Sequence, residues 1–420
     1  MPRAPEPSSR NRTASALGPH GGGEPLTAGV DLASRWLGAS VMAASDESFG
    51  DKENLLDPSP AAFEPGRYGN RGEIVDGWET RRRREPGHDW AIVRLGTPGI
   101  VTTIDVDTSF FTGNFPESCS IEATGVAGYP SPADLAEPST EWTQIVPRSS
   151  LRGDTHNTFP VGETLRFTHV RLSIFPDGGV ARLRVMGHPL PDPRGLDGLT
   201  VDLTSQEYGS AVVQSSDGFY TSATHLNRPD TARTMGEGWE TRRRRDEGHD
   251  FVVFQLAIAG CPRRAVVDTA HFKYNASAGV ALYGSVEHPA PPAESADWTE
   301  LLPRTRLQPD TRHVFPVQLG SRAISAVRLD AFPDGGLSRV RLLGPIDPAA
   351  RRLAGYRWFN ALPEQQAAQT LTEASVPADL RAEIVRLRPL TDAWQDSLGK
   401  RATSTGLAEF ATQLEGAPDR

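Results

Sequence analysis

A mainly β fold of two tandem sandwich domains is predicted by three features of this chain. The first is an internal duplication. Gly77-Trp78-Glu79-Thr80-Arg81-Arg82-Arg83-Arg84 recurs letter for letter as Gly238-Trp239-Glu240-Thr241-Arg242-Arg243-Arg244-Arg245. Each octet is followed by Gly-His-Asp, at Gly87-His88-Asp89 and Gly248-His249-Asp250. The second is alternation with a period of two, as in Ala91, Val93 and Leu95 or Val252, Phe254 and Leu256, which puts one set of side chains on the inner face of a sheet. The third is punctuation of these runs by Gly, Pro and Asp clusters, as turns between short strands require.

The elements follow in order. Residues 1–28 hold few large apolar side chains, so a disordered tail is expected, and they contain no apolar run of the kind a secretory signal needs. Residues 29–188 form the first repeat. Pro189 to Gly198 carries three prolines and two glycines and reads as a linker. Residues 199–345 form the second repeat. Paired strings run through both copies: Ser45-Asp46 with Ser216-Asp217, Asn114 with Asn275, and Phe175-Pro176-Asp177-Gly178-Gly179 with Phe332-Pro333-Asp334-Gly335-Gly336. Residues 57–73 form a Pro/Gly-rich loop that is shorter in the second copy, a change loops absorb at little cost. In Val170-Arg171-Leu172 and Ala181-Arg182-Leu183-Arg184-Val185 the alternation predicts outward-facing arginines. Residues 346–420 change character. Glu364 to Leu371 and Ala378 to Leu387 lack Gly and are rich in good helix formers, so a short C-terminal helical segment is expected.

Composition bounds the function. The net charge is −9, so the runs of four arginines are poor evidence for nucleic acid. No apolar run is long enough to cross a membrane. The two cysteines, Cys119 and Cys261, are not equivalent in the repeat. A disulfide framework would have been duplicated with the domain, so reduced thiols in a soluble, cytoplasmic protein are expected. The expected partner is a small molecule, with no nucleic acid and no membrane, and the chain is expected to form a homo-oligomer.

The order of motifs resembles the jelly roll of galactose-binding and discoidin-type domains, with the octet on a loop at one end of each sandwich. A more specific resemblance lies in Asp76 to Arg83, Gly87-His88-Asp89-Trp90 and Asp105 to Pro116, with their second-copy counterparts Gly238 to Arg244, Gly248-His249-Asp250 and Asp268 to Lys273. These strings resemble the allantoicases, over roughly residues 30–345. One departure is visible: Gly113-Asn114-Phe115-Pro116 keeps the family form, whereas the second copy reads Tyr274-Asn275-Ala276-Ser277.

The resemblance implies hydrolysis of allantoate to ureidoglycolate and urea. A carboxylate substrate calls for a bidentate cation, and Arg fits best. Expelling urea calls for a proton on the leaving nitrogen, and a base must activate water or deprotonate the other ureido group. The catalytic candidates are therefore Glu79, His88 and Asp89 with Glu240, His249 and Asp250. The substrate-binding candidates are Arg81, Arg82, Arg83, Arg242, Arg243 and Arg244, joined by Asn114, His271 and Lys273. In an extended segment alternate arginines point opposite ways, so about two per copy can face one pocket. The others are expected to pair with acids such as Glu85, Asp246 and Glu247.

Each candidate has a plainer reading. Trp78 and Trp239 read as core or loop anchors. His88 beside Asp89 can pin a loop. His271 and Lys273 align with Phe110 and Thr112, so they mark either a functional asymmetry or two solvated side chains. His156 and His313 are near-equivalents that can sit on strand ends near the octet. No His-x-His, His-x-x-x-His or Cys-x-x-Cys spacing occurs, so no metal site or other cofactor is evident, and a divalent metal held by scattered His, Asp and Glu stays open.

Two other functions compete. One is a non-catalytic ligand-binding or structural protein on the same fold. The other is a degenerate enzyme serving as a structural subunit, suggested by Tyr274. In the tail, Trp358 to Glu364 and Arg388 to Asp392 faintly resemble the opening helices of ureidoimidazoline decarboxylases. No histidine follows His313, and a helical packing or oligomerisation extension is the favoured reading.

Overall fold

The computed structural model describes residues 29–317 and 322–416; the expected disorder of residues 1–28 lies outside the described residues. Each repeat is an antiparallel β-sandwich of the jelly-roll type. In the first, one strand, Asp89–Asp107, serves both sheets. Its first half pairs with Ser40–Ala44 and Arg166–Phe175, and that sheet continues through Ser118–Thr124 to Thr143–Ser150. Its second half pairs with Arg182–Pro189 and His156–Pro160, with Val30–Asp31 beyond. The second repeat has the same strand order, but its long strand is split into Asp250–Gly260 and Arg264–Asp268. Pro262 lies at the break, where a missing N–H interrupts a ladder.

The strand doubles back across both sheets, so its two ends meet at one pole of the sandwich. The octet occupies that pole. Glu79 pairs with Gly179, next to the Asp107 end, and Asp89 starts the strand. The bend near Thr97 marks the opposite pole. The inward positions are those the alternation selects: Ala91, Val93 and Leu95 in one copy, Val252, Phe254 and Leu256 in the other. Trp78 and Trp239 are fully buried in these two cores.

One expectation fails. Arg182 does not face outward; it and its counterpart Arg339 are each 2% exposed. The loop before each octet folds over the strand and supplies partners. Arg182 donates to Asp76 at 2.7 Å and to the carbonyls of Ser59 and Asp76. Arg339 donates to Asp230 at 2.7 Å and to the carbonyl of Glu237. A covering loop turns a nominally outward position into an interior one, and a buried guanidinium is tolerated because its donors are satisfied.

The repeats touch through Trp36, which lies under the guanidinium groups of Arg228 and Arg233 at 4.9 and 4.7 Å, and through a bond from Thr97 to the Glu207 carbonyl. The tail is helical, as expected, and has its own core. Helices Pro348–Asn360, Glu364–Glu373, Ala378–Arg386 and Thr405–Glu415 bury Phe359, Leu371, Ile384 and Phe410. Asp347 caps the first helix, with Pro348 following, the arrangement that satisfies an orphan N–H and pre-sets φ. The tail docks near the poles remote from the octets. The Ala361 carbonyl accepts from Arg166 N, and Asp347 N donates to Ala259.

Candidate active site

Each octet is held along its length by groups that are themselves duplicated. The carbonyl of the first glycine accepts from Asn54 in one copy, at 3.0 Å, and lies 3.0 Å from His225 Nδ1 in the other. The indole N–H of Trp78 reaches the Asp46 carbonyl at 2.7 Å, and that of Trp239 the Asp217 carbonyl at 2.8 Å. The carboxylates of the same aspartates accept from the amides of Arg81 and Arg242. The buried hydroxyls of Thr80 and Thr241 accept from Gly178 and Gly335. The turn aspartates Asp177 and Asp334 accept from the amides of Arg83 and Arg244.

The Phe-Pro-Asp-Gly-Gly turn is thus a brace for the octet. Its glycines also permit a close approach. Gly178 has φ +143°, and a Cβ on it would meet the Asn114 carbonyl at 2.7 Å. A Cβ on Gly336 would meet the Asn275 carbonyl at 1.9 Å.

The arginines divide as alternation requires. The third points inward: Arg83 donates to Asp89 at 2.7 Å and Arg244 to Asp250 at 3.1 Å. Both aspartates are buried, and each also accepts from a serine hydroxyl, Ser45 or Ser216. Asp89 and Asp250 are therefore buried anchors for the half-buried Arg83 and Arg244. The first arginine ion-pairs with Asp46 or Asp217 at the surface, and Arg242 also covers Phe219. Of the acids expected to balance the run, Asp246 pairs with Arg244. The second and fourth arginines, Arg82, Arg84, Arg243 and Arg245, are exposed.

These arginines border cavities. In the second repeat a cavity of about 370 Å³ is lined by Arg243, Arg245, Glu240, Asn275, Tyr220 and Tyr274, among others. In the first, a cavity of about 320 Å³ lies against Arg81, Arg82, Arg83, Arg84 and Glu85. The strongest shared feature is a carboxylate–amide pair. Glu79 accepts from Asn114 Nδ2 at 2.7 Å, and Glu240 from Asn275 at 2.6 Å. Burial pushes the Glu79 carboxyl above the ordinary carboxylate range, and the Asn114 bond partly opposes it.

The histidines sit elsewhere. His88 is exposed and lies against Phe175, with ring centroids 4.7 Å apart. His249 lies against Phe332 in the same way, but it also approaches Asp330 at 3.1 Å and Arg328 at 3.3 Å. Neither is among the described residues lining the two cavities. His271 and Phe110 share a left-handed backbone, φ 70° and 69°, and each secures the loop before its octet. Phe110 stacks on Phe63, and His271 Nε2 lies 2.9 Å from the Ala232 carbonyl. Lys273 is exposed. His156 pairs with Asp107 in the ladder, whereas Arg312, not His313, takes the matching place opposite Asp268. A one-residue offset puts the two histidines on opposite faces. His156 binds Asp105 at 2.7 Å. Among the described residues no group of three His, Cys, Asp or Glu is placed to hold a metal ion.

Sequence reasoning missed the loop-holding pair Arg182 and Arg339, the brace role of Asp46 and Asp217, and Tyr220. The aspartates were visible as a paired Ser-Asp string; nothing local marked the others.

Comparison with known proteins agrees with the duplication. A model of the allantoicase repeat matches residues 30–190 and again 201–347. A probable allantoicase of Nocardia farcinica is 49% identical over 319 residues, covering 75% of this chain and 94% of that protein. A probable allantoicase of Streptomyces coelicolor is 45% identical over 362 residues, covering 81% and 94%. The crystal structure of allantoicase from Saccharomyces cerevisiae is 31% identical and superposes with a TM-score of 0.65, over 75% of this chain and 92% of that one. With both repeats matched and the octets built alike, the chain belongs to the allantoicase family.

Proposed function

We propose that the chain hydrolyses allantoate to ureidoglycolate and urea, and that the chemistry is carried at the octet poles by the Glu–Asn pairs and the free arginines. In this reaction one C–N bond breaks. Water supplies a hydroxyl to the carbon and a proton to the departing nitrogen. The single observation that carries the reading is the recurrence, in both repeats, of a carboxylate held by an asparagine on the octet loop, in the second repeat inside a cavity lined by two exposed arginines.

The roles follow from the surroundings. Arg83 and Arg244 are occupied by buried aspartates, so the carboxylate of the substrate falls to Arg243 and Arg245, and to Arg82 and Arg84 in the first repeat. Asn114 and Asn275 fix one oxygen of Glu79 and Glu240, leaving the other to move a proton. Burial of Glu79 favours its neutral form, which suits delivery of a proton to a basic leaving nitrogen. His88 and His249 take a supporting place in this reading, through Phe175 and Phe332. His271 serves as a loop anchor and Lys273 as a cationic neighbour of the rim.

The non-catalytic alternative is tested by the same assay. Incubation with allantoate should release urea and ureidoglycolate in equal amounts, and absence of turnover by folded protein would favour a binding role. A division into repeats at 29–188 and 199–345, linker 189–198 and helical extension 346–420 is supported by the strand and helix boundaries. Homo-oligomer formation is supported by exposed aromatic side chains at the octet poles, Tyr68, Phe219, Tyr220 and Tyr274. Among the described residues no helix is long and apolar enough to cross a membrane; a cytoplasmic location is part of the proposal.

A further inference from the structure

The cavities at the two octet poles are similar in volume, about 320 Å³ in the first repeat and about 370 Å³ in the second. Their linings differ. In the second repeat Glu240 and Asn275 line the same cavity as Arg243 and Arg245. In the first, Arg81 to Arg84 and Glu85 form the lining, and the Glu79–Asn114 pair is not part of it. A substrate with its carboxylate on arginine and its reacting carbon at a glutamate must touch both kinds of group at once. The second pole presents both in one cavity.

That cavity also carries two tyrosines that the first lacks. Tyr220 and Tyr274 line it, and they are 61% and 99% exposed. Their counterparts are fixed by the backbone. The amides of Tyr220 and Phe49 donate to the carbonyls of Glu240 and Glu79 respectively, so Phe49 stands where Tyr220 does. Tyr274 precedes Asn275 as Gly113 precedes Asn114. Tyr220 meets the Phe219 ring edge-on at 4.8 Å, and among the described residues no hydrogen bond holds either tyrosine hydroxyl. Tyr68 and Phe219 are exposed as well but line neither octet cavity. A phenol ring left in water at a cavity rim is an available contact surface with a polar tip. A ureido group is planar, so it offers a flat face to such a ring and a carbonyl that accepts from its hydroxyl.

We propose that Tyr220 and Tyr274 are specificity-determining residues of the second pole, contacting the ureido arm that stays on the substrate while the other arm leaves at Glu240. This role rests on the allantoate reading of the poles. Arg243 and Arg245 take the carboxylate, Glu240 faces the departing nitrogen, and the tyrosines fill the remaining rim. The first pole, with Phe49 and Gly113 at the matching places, lacks this contact.

The test converts the second rim into the first: Tyr220→Phe combined with Tyr274→Gly in the full chain. Allantoate is the substrate, and hydantoate, a carboxylate with a single ureido arm, is the competing inhibitor. Both side chains are exposed, so the melting temperature should hold. The KM for allantoate should rise about fivefold or more, with kcat less altered. Inhibition by hydantoate should change little, because its one arm lies at Glu240. Tyr274→Ala in place of the glycine should behave alike, which separates the lost ring from added loop freedom. Phe49→Ala, the matching change at the first pole, should leave KM and kcat as in the parent. An unaltered KM in the folded double variant, or equal weakening of allantoate and hydantoate, would overturn the proposal. A change in assembly size at unaltered KM would also overturn it, by placing the tyrosines in a subunit interface. A parent chain that releases no urea would refute the reaction itself; the same comparison, read as allantoate and hydantoate affinities by calorimetric titration, would still decide the tyrosine contact.

Discussion

The two octet poles share their braces and differ at their rims. In both, the third arginine clasps a buried aspartate, a turn aspartate holds that arginine's amide, and a buried arginine ties down the preceding loop. In both, a glutamate is held by an asparagine. Around this frame the copies diverge. The first pole carries the long 57–73 loop with its Tyr68–Gly69 and Gly72–Glu73 hairpin. The second carries exposed Tyr220 and Tyr274 beside its cavity. His249 is drawn into an Asp330–Arg328 cluster, while His88 lies against the Phe175 ring, with Ser173 standing where Asp330 does. Much of the polar repetition is thus explained by folding. The Glu–Asn pair is the shared feature that bracing does not require, which is why it carries the functional reading.

Breaking the shared frame should have the largest effect. Asp89→Ala or Asp250→Ala removes a buried carboxylate from a half-buried guanidinium, and losing such charge-assisted hydrogen bonds costs about 1–3 kcal/mol. Thermal unfolding would register it, with the smaller loss for Asp250→Ala, because Arg244 keeps Asp246 as a partner. A negligible change would mean that the clasps are solvated and contribute little.

Next come the glutamates. Glu79→Gln and Glu240→Gln keep size and hydrogen bonding but abolish proton transfer. Turnover should fall about 100-fold or more in whichever pole is catalytic, with the melting temperature little changed. Unequal effects would sharpen the comparison by assigning the chemistry to one pole. Arg243→Lys preserves charge but loses the bidentate fork, so the main effect should be a higher KM for allantoate, with kcat less altered. A fall in kcat at constant KM would instead place that arginine on the transition state.

Much of this was legible in the chain itself. The octet repeat, the period-two strands, the Asp-Gly-Gly turns and the helical tail all have local signatures. The alternation of four arginines implies that they divide in pairs between two directions, and the third of each run is the one that turns toward a buried aspartate. The braces were not legible, because they join residues far apart: Arg83 and Asp177 are 94 positions apart, and Arg182 and Asp76 are 106 apart. Arg182 reads as outward from its strand alone; only the covering loop makes it interior. His156 and His313 align one residue apart in sequence, and the ladder turns that offset into opposite faces.

That register yields the smallest prediction. The bond from His156 to the Asp105 carboxylate raises the imidazole above its ordinary value. A raised folded-state value means that the stabilisation is complete below about pH 6.5, the unfolded value, and is lost as pH rises through the folded value. The side chain is 65% exposed, so solvent screening keeps the effect small. Wild type should exceed His156→Ala in melting temperature at pH 5.5, with the gap closing by pH 8.5. A gap that widens with pH would contradict the assigned pair.

The central claim is tested most directly by urea release from allantoate, comparing the parent chain with Glu79→Gln, Glu240→Gln and their combination, alongside His88→Asn with His249→Asn. The parent should release one urea per allantoate, and the folded double glutamate variant should lose turnover. Much of the activity should survive in the double histidine variant. A double glutamate variant that turns over allantoate at the parent rate, or a double histidine variant that is folded and inactive, would contradict it.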